Sequence, residues 1–168
     1  MNRRQVLLGG LGLAASLVMA GKSSNGGTAG SSAPAFEINR SAEEWRKRLT
    51  AQQFFVLREH GTEMPFSSPL DREHRAGIYA CAGCDLALFS SAAKFDSGTG
   101  WPSFYEPLRN AVRTSPDDSF MMHRTEVHCR RCGGHLGHVF DDGPRPTGLR
   151  YCIDGVALNF HAGAVAPH

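Results

Sequence analysis

Cys129-Arg130-Arg131-Cys132-Gly133-Gly134-His135-Leu136-Gly137-His138 has an upstream counterpart in Cys81-Ala82-Gly83-Cys84. Two residues between thiols let a tight turn aim both sulfurs at one ion. Two such turns complete a tetrahedral Cys₄ zinc site. Gly133 can adopt the positive φ that such a turn often requires. Four sulfur ligands leave no open position, so this spacing predicts one structural, non-catalytic Zn²⁺. The gap from Cys84 to Cys129 is longer than in a compact zinc ribbon. The same thiols also fit disulfides in an oxidising compartment. Either pair alone fits a redox Cys-x-x-Cys.

Around these pairs, from Gly77 onward, Gly, Pro, Ser and Asp recur between short runs: Ile78-Tyr79-Ala80, Ala111-Val112-Arg113, Glu126-Val127-His128 and Tyr151 to Phe160. That texture predicts an antiparallel β domain, and no later segment is long and periodic enough for a helix. Two helices should lead it. Ser41-Ala42-Glu43-Glu44 is a capping box opening a helix to about Leu49. Thr50-Ala51-Gln52-Gln53 repeats the signal for a second helix that should stop at Gly61. The loop from Gly61 to Pro69 has no clear period.

Met1-Asn2-Arg3-Arg4-Gln5-Val6-Leu7-Leu8 and the Gly/Leu/Ala run to Ala20 read as a signal sequence over residues 1–20. The Arg3-Arg4 pair resembles a twin-arginine signal, which would export the chain to a bacterial periplasm. An uncleaved anchor is the alternative, but the run is short for a span, which needs ~20 predominantly apolar residues. No stable membrane span is expected after cleavage. Residues 21–35 are Gly/Ser-rich and read as a flexible linker, leaving 36–168 as one folded domain. The formal net charge of +2 falls to zero when Arg3 and Arg4 are removed. A neutral chain carries no electrostatic footprint for nucleic acid.

Cys152 stands outside the pairs, in Leu149-Arg150-Tyr151-Cys152-Ile153-Asp154. On a strand, Arg150, Cys152 and Asp154 would share one face, with Tyr151 and Ile153 on the other. An unpaired Cys is commonly a small buried hydrophobe; a thiol near Arg and His can instead ionise and react. His135 and His138 offer proton donors near neutrality, or surface imidazoles, or spare zinc ligands. Trp101, in Gly98-Thr99-Gly100-Trp101-Pro102-Ser103-Phe104, is either packing or the wall of an apolar pocket.

Taken with Glu59-His60-Gly61-Thr62-Glu63-Met64-Pro65-Phe66 and Pro146-Thr147-Gly148-Leu149-Arg150-Tyr151-Cys152-Ile153, these segments resemble the methionine-R-sulfoxide reductase family, MsrB, over about residues 41–161. The resemblance implies a mainly β fold of two small antiparallel sheets with short N-terminal helices, joined by the Cys₄ zinc. It implies reduction of the R epimer of methionine sulfoxide, in oxidised proteins or as the free amino acid. It makes Cys152 the nucleophile, left as a sulfenic acid, and His138 the proton donor with His135 beside it. Arg150 would tune the thiolate, Asp142 would be a hydrogen-bond partner, and Trp101 would hold the substrate methyl. Two positions depart from the family pattern. Thr99 stands where many members carry a resolving Cys, so an outside thioredoxin-like protein or small thiol would reduce the enzyme. Asp154 stands where the family usually has Asn, and an ionised carboxylate cannot donate a hydrogen bond and opposes thiolate formation.

Overall fold

A computed structural model describes residues 36–163. The readings of residues 1–20 and 21–35 lie outside the described residues.

The two capping boxes form as their spacing predicts. Ser41 accepts from the Glu44 amide and Glu44 accepts from the Ser41 amide, opening α1 (Ala42–Arg46). Thr50 and Gln53 make the same exchange at the start of α2 (Ala51–Glu59). Each box satisfies amides that a helix start leaves without partners. The second helix stops one residue earlier than expected. His60, at φ 56° and ψ 34°, takes the left-handed cap position in place of Gly61. Gly61 is kept small for another reason: a Cβ there would lie 2.2 Å from the Phe55 ring.

The β strands divide into two antiparallel sheets, as the family resemblance implies. One has β1 (Gly77–Cys81) between β2 (Ala87–Ser90) and β9 (Leu158–Ala162). The other comprises β3 (Lys94–Phe95), β4 (Ser103–Phe104), β5 (Val112–Asp117), β6 (Arg124–Cys129), β7 (His135–Phe140) and β8 (Arg150–Ile153). Its spatial order is β3-β4-β8-β7-β6-β5, which places β8 in the interior. Pro116 falls on β5, an edge strand, where proline is best tolerated in a sheet.

The stretch from Tyr151 to Phe160 is not one run. It breaks after Ile153, passes through a 3₁₀ turn (Gly155–Ala157), and re-emerges as β9 in the other sheet. Asp154 therefore leaves the strand face assigned to it and turns into the protein, only 3% exposed.

Aromatic packing joins the two sheets. Phe89 of β2 stacks on Phe104 of β4 at 4.4 Å, and Tyr79 of β1 meets Phe104 edge-on at 4.9 Å. Fully burying each such side chain contributes on the order of 1.5–3 kcal/mol. Trp45, Phe54 and Leu57 bury the helices against the same core, with Leu49 from the turn between them. Among the described residues, no helix is long and apolar enough to cross a membrane.

Candidate active site

The two Cys-x-x-Cys turns form one cluster. Cys81 ends β1 and Cys129 ends β6, so the pairs come from different sheets. Each turn closes the same way. The carbonyl of Cys81 accepts from the Asp85 amide at 2.7 Å, and that of Cys129 accepts from the Gly133 amide at 2.9 Å. Asp85 and Gly133, four residues after the first Cys of each pair, are both left-handed (φ 57° and 66°). The four sulfurs lie within 4.8 Å of one another, with the closest contacts Cys84–Cys129 at 3.5 Å and Cys81–Cys132 at 3.7 Å. Mutual thiol hydrogen bonds push Cys81 and Cys132 up and hold Cys84 and Cys129 down. All five cysteines are free, so the disulfide arrangement is not adopted. Four convergent thiols, three of them buried, fit one closed metal site joining the sheets.

Cys152 lies away from this cluster, in the middle of the six-stranded sheet. It pairs with Ser103 of β4 on one side and His138 of β7 on the other. Gly137 permits that approach: its φ is 146°, and a Cβ there would lie 2.1 Å from the Cys152 carbonyl oxygen. A glycine inside a strand run signals such a close passage. A cleft of about 140 Å³ opens over the thiol, lined by Thr62, Trp101, Arg124, Gly137, His138, Phe140 and Asp154. A groove of about 710 Å³ elsewhere on the described residues contains no Cys or His among its lining residues, so the smaller cleft is the candidate site.

The groups around the thiol oppose one another. Burial pushes the Cys152 thiol up; a contact with the Thr99 hydroxyl at 3.9 Å and the Arg150 charge pull it down, and Asp154 pushes it up again. Ser97 fixes Thr99, its hydroxyl lying 2.8 Å from Thr99 and 2.7 Å from Ser103. Asp142 holds Arg150 in a two-point contact at 2.9 and 2.8 Å, and the guanidinium lies over the Phe140 ring. Asp142 itself is exposed and stays outside the cleft, and its side chain is linked to the thiol's surroundings through Arg150.

His138 lines the cleft, and His135 does not. His138 Nε2 is 2.7 Å from Asp117 Oδ2, and Arg124 donates to the same oxygen at 2.7 Å. Burial lowers the His138 pKa while Asp117 raises it. His135 is 2% exposed, with its ring 5.4 Å from that of His138 and its Nδ1 2.7 Å from Glu126. Residue chemistry alone did not single out Asp117, Arg124, Phe140 or Glu63. Only the hairpin and sheet registers bring them here.

Trp101 walls the cleft, and its indole N–H donates to the Glu63 carbonyl at 3.2 Å. The Glu63 amide donates to Asp154 Oδ1 at 2.8 Å. The Glu63 carboxylate accepts from the Gly155 and Val156 amides at 2.5 and 3.1 Å. Burial pushes Asp154 up to about 7, against the hydrogen bond from Glu63. Asp154 is therefore not the fully ionised strand-face carboxylate that its sequence position implied.

A Cys₄ cluster that could hold a metal ion and a separate half-buried thiol facing an imidazole are the marks of a thiol-redox enzyme domain. The SelR domain family matches residues 49–162. Three relatives named "Peptide methionine sulfoxide reductase MsrB" align closely. The one from Leptospira interrogans is 53% identical, covering 74% of this chain and 96% of that protein. The one from Methanosarcina barkeri is 56% identical, covering 73% and 87%. The one from Agrobacterium fabrum is 53% identical, covering 74% and 93%. The chain belongs to the MsrB family of enzymes.

Proposed function

We propose that this chain reduces the R epimer of methionine sulfoxide, with Cys152 as the nucleophile. The observation that carries the reading is the pairing of Cys152 with His138 across adjacent strands, at the floor of a cleft walled by Trp101 and Phe140. The Cys152 thiolate attacks the sulfoxide sulfur, forming an S–S bond, while His138 protonates the sulfoxide oxygen. The hydroxyl then moves from the substrate sulfur to Cys152 Sγ as the substrate's S–O bond and the new S–S bond break, so methionine leaves reduced and Cys152 is left oxidised as a sulfenic acid. Asp117 keeps the imidazole oriented and favours its protonated form. Arg150 and Thr99 favour the thiolate. Trp101 and Phe140 give the substrate methyl an apolar seat.

The metal that suits four thiolates is zinc, held by Cys81, Cys84, Cys129 and Cys132. When bound, it supplies folding free energy and takes no part in the reaction.

The Thr99 hydroxyl, on the β3–β4 loop, lies 3.9 Å from the Cys152 sulfur and cannot form a disulfide. An outside thiol, from a thioredoxin-like protein or a small molecule, therefore condenses with the sulfenic acid and releases water. A second thiol then frees Cys152. Protein-bound sulfoxide is the substrate, and the free amino acid is a candidate. The Arg3-Arg4 pair and the following apolar run support residues 1–20 as an export signal. Residues 21–35 are then a tether, and 36–168 the reductase domain at work in a periplasm.

The test is one turnover on excess sulfoxide without reductant, then dimedone labelling and intact mass. One label on Cys152 and no intramolecular disulfide are expected. A disulfide from Cys152 to any of the four paired cysteines, with metal release, would show that the metal site resolves the sulfenic acid.

A further inference from the structure

His60, Glu126 and His135 come together from the end of α2, from β6 and from β7. Glu126 Oε1 lies 2.7 Å from His135 Nδ1 and 3.0 Å from His60 Nδ1, so a single carboxylate oxygen serves both rings. Ser115 donates to the other oxygen at 2.9 Å and fixes the carboxylate. One ligand atom from each residue lies within 4.8 Å of the other two. The left-handed backbone of His60 ends the helix at this point.

We infer that these three residues form a second metal site, separate from the four thiols, which takes a divalent transition ion such as Zn²⁺ or Co²⁺ and slows the enzyme when filled. Two imidazoles and a carboxylate, with positions left open, are a common donor set for such ions. The carboxylate is ionised at neutral pH: burial works against it, yet hydrogen bonds from His135 and Ser115 hold it at about 2. A metal on His135 Nδ1 moves the ring proton to Nε2, a buried atom that has no hydrogen-bond partner among the described residues, so this ligand is engaged at the cost of an unpaired donor. The remaining coordination positions face a groove of about 350 Å³, which also contains Thr62, Asp117 and His138. Water has room there to complete the shell.

Slowing rests on the proposed role of His138; binding does not. The His135 and His138 rings are 5.4 Å apart. A cation beside His138 disfavours its protonated form and draws on the Asp117 carboxylate that supports it.

The test begins with protein whose four thiols already hold zinc. Added Co²⁺ should bind at one further equivalent with weak visible bands and no intense thiolate charge-transfer band. Uptake should be the same in Cys152→Ser. It should weaken in His60→Asn, which suits the left-handed cap, and in Glu126→Gln. The loss should exceed the ~10–100-fold that follows removal of a mere supporting contact. In single turnover without added thiol, Zn²⁺ should slow the wild type, while His60→Asn should run at the wild-type rate and resist zinc. A charge-transfer band, or uptake lost in Cys152→Ser, would place the ion on the Cys152 thiol and overturn the site. Undiminished uptake by His60→Asn would do the same. Binding without slowing would refute the regulatory half alone, and a chain inactive on sulfoxide would leave the cobalt result to decide the site.

Discussion

Replacing Asp154 with Asn should stabilise the domain, and more so as the pH rises. The carboxyl is 3% exposed and held at about 7, against an ordinary value of 3.8. Its folded-state pKa is therefore raised above its unfolded one. Folding favours the protonated form, and stability is lost as pH rises from the unfolded toward the folded value. At ~1.4 kcal/mol per pKa unit, ionising the buried carboxyl costs about 4 kcal/mol once the pH exceeds 7. By pH 5.5 the unfolded carboxyl is already ionised, so part of that cost is present. About 2 kcal/mol more is added between pH 5.5 and 8.5.

An Asn carbonyl can keep the hydrogen bond from the Glu63 amide, and the amide cannot ionise. The assay is urea unfolding of both proteins, metal-loaded, at pH 5.5, 7 and 8.5. Other titrating groups, such as His128 and His138, are present in both proteins and largely cancel in the difference. The Asn variant should gain on the wild type by about 2 kcal/mol across that range. A difference that stays flat with pH would refute the reasoning, because it would mean that Asp154 does not titrate in the folded protein. The same change should lower the Cys152 thiol pKa, since Asp154 pushes that thiol up. Iodoacetamide alkylation rates against pH would measure it.

Cys129→Ser should lower metal content and stability together, since a structural zinc contributes folding free energy directly; stoichiometric metal with unchanged unfolding would reject the site. His138→Ala should slow single turnover by ~10²–10⁴-fold, and an unchanged rate would remove the imidazole from the mechanism. Asp117→Asn should slow the step less and move its falling pH limb downward, because Asp117 raises the His138 pKa; a limb that stays in place would separate the two residues.

Local signals in the sequence were legible. Ser41 with Glu44 and Thr50 with Gln53 marked both helix starts, because a capping box needs only three-residue spacing. The Cys-x-x-Cys pairs marked the metal cluster for the same reason: each turn is complete within a few residues. Alternation on β8 placed Ile153 in the core and Cys152 toward the cleft. It failed at the next residue, because period two holds only while the strand lasts. Asp154 begins the turn that carries the chain into the second sheet, and its partner, the Glu63 amide, is 91 residues away. Asp117 beside His138 is similar, since it depends on the register of the β5–β6–β7 ladder. Long-range contacts leave no periodic trace. Gly137 left one that could have been read: a glycine between two strand residues, where the backbone of β8 passes close.

The most direct test of the central claim is turnover of separately prepared R and S epimers of a methionine sulfoxide peptide, with dithiothreitol, by the wild type and by Cys152→Ser. Serine's hydroxyl is a far poorer nucleophile than a thiolate at neutral pH. The wild type should reduce the R epimer and leave the S epimer. Cys152→Ser should reduce neither while retaining its metal and its unfolding midpoint. Substantial R-epimer reduction by a correctly folded Cys152→Ser protein would contradict that claim and place the chemistry on another sulfur.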